Sequence, residues 1–227
     1  MEKKERKKKP TTVYLIRHGQ TTANAAGRIQ GKSEQGTLSE VGKTQAEKLR
    51  KWAKSEEVSF VYHSPLGRAS DTAAMAFPAH ERKAERRITE IGMGTLSGML
   101  LAEAIETLEK NGAVSKEEIR RTAKENRFIC FHLYAHRFRG ESCERAYARG
   151  LSFLHEVGKN HPGETVAVVS HGGFNKILLC GLLGMPFSQE SFQKIGQSNC
   201  AVNKIVISEG KITVESFNLT GHLGGEK

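Results

Sequence analysis

Short, wholly apolar runs alternate with helical patterns along most of this 227-residue chain. Val13-Tyr14-Leu15-Ile16 is such a run, rich in strand formers and without polar alternation, as expected of a strand covered on both faces. Ser39 then precedes Ala46, Leu49 and Trp52 at near-helical spacing, which predicts a helix over 40–54 with Ser39 as its N-cap and Trp52 in the core. Residues 58–62 predict a second buried strand. Ser64-Pro65 opens an Ala-rich helix over 66–77, with Pro65 suited to the first turn. From 100 to 137 the chain is rich in Glu, Lys, Arg, Ala and Leu with no Pro, which predicts a helical insertion with charged outer faces. A helix over 142–158 leads into the apolar strand Val166-Ala167-Val168-Val169, a helix over 174–183 follows, and 201–207 with 211–217 reads as an antiparallel hairpin around Ser208-Glu209-Gly210.

Strands alternating with helices predict an α/β fold: a three-layer sandwich with a largely parallel open sheet, helices on both faces and the insertion near the active site. One domain over 11–220 is expected, between a tail at 1–10 and a second at 221–227. Such sheets bind ligands beyond the carboxyl ends of their strands. Two such ends carry a histidine followed by glycine, Arg17-His18-Gly19 and Ser170-His171-Gly172-Gly173. Glycine lets backbone approach a ligand closely, and each pair turns toward a helix whose N-terminus favours anions. Arg17, and Arg68 just past the second strand, add planar guanidinium groups matched to phosphoryl oxygens.

Charge fits that picture without deciding it. Lys and Arg total 35 against 25 Asp and Glu, a formal +10 that favours anionic partners. Residues 1–9 hold six of those cations and two Glu with no apolar periodicity, so a disordered tail is expected there. No apolar segment follows this start as a signal peptide requires, and 174–187 is too short for a bilayer, so a cytoplasmic protein with no membrane association is expected. Cys130, Cys143, Cys180 and Cys200 fit no C-x-x-C pattern and are expected as buried, reduced thiols. His132 and His136 share a helical spacing but lack companion ligands, so no metal is expected. The stretch 82–87 alternates basic and acidic residues, as in a solvated loop, and no nucleic-acid partner is expected.

Leu15-Ile16-Arg17-His18-Gly19-Gln20-Thr21-Thr22-Ala23-Asn24 closely resembles the signature of the histidine phosphatase superfamily, in its phosphoglycerate mutase-like branch. The resemblance runs on through Gly27-Arg28-Ile29-Gln30-Gly31, residues 38–46, 64–73, Ile88-Thr89-Glu90-Ile91-Gly92, Gly140-Glu141-Ser142 and Ser170-His171-Gly172-Gly173, missing mainly the insertion. It implies a phosphohistidine mechanism on a small phosphorylated substrate, with no cofactor and no metal. His18 would be the nucleophile, Arg17, Arg68 and His171 would grip the phosphoryl group, and Glu90 would be the proton donor. Asn24, Gln30, Gly31 and Gly172 would line the substrate side. Gly94-Thr95-Leu96-Ser97-Gly98 departs from the Gly-x-Trp-acid-Gly of many relatives, which bears on substrate class. The segment by which related mutases close over their bisphosphate is missing, so a phosphomonoesterase is expected over a mutase. A phosphate-docking protein without turnover is the remaining alternative.

Overall fold

The computed structural model describes residues 9–34, 36–125 and 129–224, so most of the expected N-terminal tail, the last three residues and three positions of the insertion lie outside the described residues. Its frame is a six-stranded sheet of β1 (Thr11–Arg17), β2 (Phe60–His63), β3 (Arg82–Ala84), β4 (Thr165–Ser170), β5 (Val202–Ser208) and β6 (Lys211–Leu219), in spatial order β3-β2-β4-β1-β5-β6. The first four pair in parallel, while β5 and β6 run antiparallel as the expected hairpin. β3 is a difference from the expected loop: its three residues are solvated, as the charge pattern suggests, but they pair with β2 and form a charged sheet edge.

The helices are α1 (Thr22–Ala25), α2 (Glu40–Ala53), α3 (Gly67–Ala76), α4 (Leu101–Lys110), α5 (Lys116–Lys124), α6 (Cys143–Asn160), α7 (Gly172–Leu182) and α8 (Gln189–Lys194). Successive strand residues point to opposite faces, so Val13, Leu15, Val166 and Val168 enter one core with α6 and α7, whereas Tyr14, Ile16, Ala167 and Val169 enter another with α2 and α3. Ser39 caps α2 by accepting from the Gly42 N–H at 3.1 Å. α2 buries Gly42, Ala46, Leu49 and Ala53, four positions on one stripe. Trp52 sits at the rim of that stripe, half-buried, edge-on to Tyr14 at 5.0 Å.

The insertion is α4 and α5 followed by 3-10 turns at Phe131–Leu133 and Ala135–Phe138. Its apolar side, Ala104, Leu108, Phe131, Ala135 and Phe138, completes the first core, which anchors it beside the carboxyl ends of the strands. Toward the other end of the chain, residues 221–223, expected as part of a tail, instead dock. Gly221–Leu223 forms a 3-10 turn in which Leu223 packs on the second core and its carbonyl accepts from Lys48 Nζ at 2.6 Å. The four cysteines are buried and form no disulfide among the described residues, and burial pushes the thiols of Cys143, Cys180 and Cys200 up to about 12. Among the described residues no helix is long and apolar enough to cross a membrane.

Candidate active site

Sheet register brings the site together. Arg17 is opposite Ser170 in the parallel β1–β4 pair, so the next residue of each strand, His18 and His171, leaves the sheet at the same edge with ring centroids 5.2 Å apart. β2 lies on the other side of β4 with His63 opposite Val169, which sets Ser64 beside His171, and the Ser64 hydroxyl meets His171 Nε2 at 2.7 Å.

His18 Nδ1 lies 2.7 Å from the Gly19 carbonyl oxygen. A carbonyl only accepts, so Nδ1 carries the proton and Nε2 keeps its lone pair. The loop that makes this bond passes so close to α2 that a Cβ on Gly19 would stand 2.6 Å from the Gly42 carbonyl oxygen. His18 is only 3% exposed, and burial, reinforced by the Arg17 and Arg68 charges, holds its pKa well below the ordinary histidine value. His171 is fully buried and is shifted the same way by burial first, then by Arg68 and the other nearby cations.

The two arginines are fixed by backbone carbonyls. Arg68 donates through Nη2 to Gly31 at 2.7 Å and through Nη1 to Ser33 at 2.9 Å, and Gly31 presents its carbonyl from a left-handed conformation with φ of 56°. Arg17 donates through Nη1 to the Gln197 carbonyl. Arg17 Nε, Arg68 Nε and His171 Nδ1 are all buried without a hydrogen-bond partner. Buried polar atoms of this kind are costly unless a ligand meets them, and an oxyanion would satisfy the N–H groups. A Cβ on Gly172 would stand 2.9 Å from Arg17 Nε, so glycine there leaves the guanidinium accessible.

Glu90 arrives from a loop after β3 and lies against the first turn of α7. Its Oε1 accepts from the Phe174 and Ile91 N–H groups at 2.7 and 2.9 Å, while Oε2 takes a single bond from Gly173 at 3.1 Å. Oε2 therefore keeps more free acceptor capacity than Oε1. The Gly140-Glu141-Ser142 motif is hydrogen-bonded to this loop. Glu141 accepts from Arg149 Nε at 2.8 Å and its N–H donates to the Gly92 carbonyl at 2.7 Å, while Arg149 also donates to the carbonyls of Arg87 and Glu90.

A cavity of about 260 Å³ opens over these groups. Of the sequence-predicted residues, Arg17, His18, Asn24, Gln30, Gly31, Arg68, Glu90 and Gly172 line it, and His171 lies beneath with its ring against His18. Asn24 Nδ2 and Thr21 Oγ1 both donate to Gln30 Oε1, at 3.2 and 3.1 Å, which fixes the entrance amides. The sequence reading did not assign His132, Lys176 and Gln197 to the site, although all three line the cavity. His132 drew notice only for its spacing to His136, which the structure leaves exposed on the outer side of its turn. No periodicity marks the others, because tertiary packing brings Lys176 to the site from α7 and Gln197 from the loop between α8 and β5. Among the described residues no cluster of three metal-ligating side chains occurs.

A family model described as histidine phosphatase superfamily, branch 1, matches residues 13–220. The chain belongs to that superfamily. Among histidine phosphatase relatives, phosphoserine phosphatase 1 of Hydrogenobacter thermophilus is 35% identical, with 93% of this chain and 94% of that protein covered. A metal-independent phosphoserine phosphatase of Arabidopsis thaliana is 32% identical over 94% of this chain and 83% of its own length. In fold, a phosphoglycerate mutase of Bacillus anthracis superposes with a TM-score of 0.79 at 26% identity, covering 96% of this chain and 97% of that one. The superfamily's motif residues and the cavity coincide in this member, and the Gly94–Leu96 turn that departs from the motif buries Leu96 completely in the first core.

Proposed function

We propose that the chain is a phosphomonoesterase that hydrolyses a small phosphorylated metabolite through a phosphohistidine on His18. The observation that carries this reading is the tautomer of His18: Nδ1 is committed to the Gly19 carbonyl, which leaves the Nε2 lone pair among buried guanidinium groups. In the first step Nε2 attacks phosphorus, the P–O bond to the alcohol breaks, and Glu90 delivers its proton to the departing oxygen. Arg17, Arg68 and His171 stabilise charge on the equatorial oxygens. In the second step Glu90, now a carboxylate, takes a proton from water as its oxygen attacks phosphorus. The N–P bond breaks, releasing phosphate and regenerating neutral His18.

The names of the two phosphoserine phosphatase relatives support a phosphatase and put phosphoserine on the substrate panel. The mutase likeness in fold supplies the competing outcome. The test is phosphate release from a panel of phosphorylated metabolites, with His18→Ala as the blank, run beside interconversion of 3- and 2-phosphoglycerate. Release abolished by His18→Ala is expected. Interconversion faster than release would make the chain a mutase, and binding without release from any ester would make it a docking protein.

A further inference from the structure

Two groups in the cavity have no task in phosphoryl transfer. Lys176, on α7, is largely buried, yet its ammonium makes one protein hydrogen bond, to the Phe192 carbonyl at 3.0 Å, and no ion pair among the described residues. Two of its three N–H donors are left over. His132, from the insertion, has Nδ1 sealed from solvent without a partner. A buried lone pair without a partner is less costly than a buried N–H without one, so the ring proton sits on Nε2. That atom and Glu90 Oε1 both fall within 2.8 Å of the point a Gly173 Cβ would occupy, so the His132 donor faces the proton-shuttling carboxyl and thus the alcohol side of the ester.

Charge balance asks for the same thing. Arg17, Arg68 and Lys176 bring three buried positive charges to the cavity, Arg28 adds a fourth that is exposed at the rim and screened by solvent, and the only carboxylate among the lining residues is Glu90. When Glu90 is protonated for the first step, an ester dianion offsets two of the three buried cations. One more negative charge on the substrate would offset the third buried cation.

We infer that Lys176 and His132 form a second anion subsite that holds a carboxylate on the leaving alcohol, one or two carbons from the ester oxygen. The substrate class is then a phosphorylated hydroxy acid small enough for a cavity of about 260 Å³. Lys176 supplies the charge and His132 a neutral donor, and both discriminate between alcohols without touching phosphorus. The inference rests on the phosphoryl site proposed above.

Equilibrium binding tests it without requiring turnover. Titration calorimetry on His18→Ala protein compares phosphoserine with phosphoethanolamine, and 3-phosphoglycerate with glycerol 3-phosphate, pairs that differ in the carboxylate. The carboxylated member of each pair is expected to bind roughly 10- to 100-fold tighter, as charge-assisted hydrogen bonds imply. Adding Lys176→Met or His132→Leu should shrink that ratio, toward one for Lys176→Met, and Lys176→Arg should restore much of it. Equal affinities within each pair, or a loss in the variants that falls equally on both members, would overturn the subsite and assign the two residues to structure. Failure of p-nitrophenyl phosphate turnover by the unaltered protein would instead overturn the phosphatase reading, while the binding ratio still tests the subsite.

Discussion

At His18, the cations proposed to hold the phosphoryl group would also keep the proposed nucleophile unprotonated, because burial and the Arg17 and Arg68 charges both disfavour imidazolium. That preference has a measurable cost. His18 and His171 both have folded pKa values below the ordinary 6.5, so below that pH the unfolded chain binds protons that the folded chain refuses. Stability is then fully present above about pH 6.5 and falls as pH drops, by up to about 1.4 kcal/mol per unit for each histidine until its folded pKa is reached. Denaturation midpoints between pH 7 and 5 should show the decline, and His171→Asn should flatten it; an unchanged slope would mean that other groups cause it. At Glu90 the expectation concerns leaving groups. Glu90→Gln should slow hydrolysis of an alkyl phosphate by roughly 10²- to 10⁴-fold, because an alkoxide needs the proton, and should slow the first step with p-nitrophenyl phosphate far less. Rapid-quench assays would then show a burst of nitrophenol and accumulating phosphohistidine. Equal slowing of the first step for both substrates would remove Glu90 from the acid role.

Among elements, the loop carrying Glu90 depends on α6 more than on its own sequence. Arg149 bridges Glu141 and the carbonyls of Arg87 and Glu90, and it lies over the Phe174 ring at 4.6 Å. Burial alone would raise the Glu141 carboxyl, but the hydrogen bonds and charge of Arg149, with help from Lys32, hold it below the usual carboxylate range. Arg149→Met should therefore leave the mostly buried Glu141 carboxylate only Lys32 and the Gly92 N–H, strip the Arg87 and Glu90 carbonyls of a donor, and cost about 2 to 4 kcal/mol, read from urea denaturation. A loss of kcat larger than any rise in KM should accompany it, since the loop carries the proposed proton donor and not the proposed phosphoryl grip. A variant as stable and active as the parent would show that the clasp is incidental. The motif Gly140-Glu141-Ser142 was legible in the sequence as a family feature, but its partner Arg149 was not, because a lone arginine in a charged helix has no pattern that singles it out.

Over the whole molecule, the docked C-terminal turn ties the chain's end to the second core. His222 accepts no role in the cavity, but its Nε2 lies 3.1 Å from the Cys200 carbonyl and its ring 5.7 Å from Trp52, while Leu223 covers the core beside α2. Replacing both residues with Ala should lower stability by about 1 kcal/mol, a fall of roughly 2 to 4 °C in thermal midpoint for a domain of this size, with kcat unchanged. An unaltered midpoint would return the segment to the tail that its composition suggests. Nothing in the last seven residues announces this contact, because the apolar surface they meet is assembled from α2 and β1, far away in the chain.

The sequence by itself determined which residues could do the chemistry and that they stand at strand ends. Apolar runs of strand length, stopping at His18 and His171, are local signals, and a buried parallel sheet leaves no other place for them than one carboxyl edge. Arg68 was legible from its place just past the second strand, and the family motifs added Glu90. Tertiary structure alone decided the register that sets Ser64 against His171, the hydrogen bond that selects the His18 tautomer, and the positions of His132 and Lys176. Those depend on distances between segments far apart in sequence, which hydrophobic periodicity does not encode, and they fix what the alcohol side of the cavity can hold.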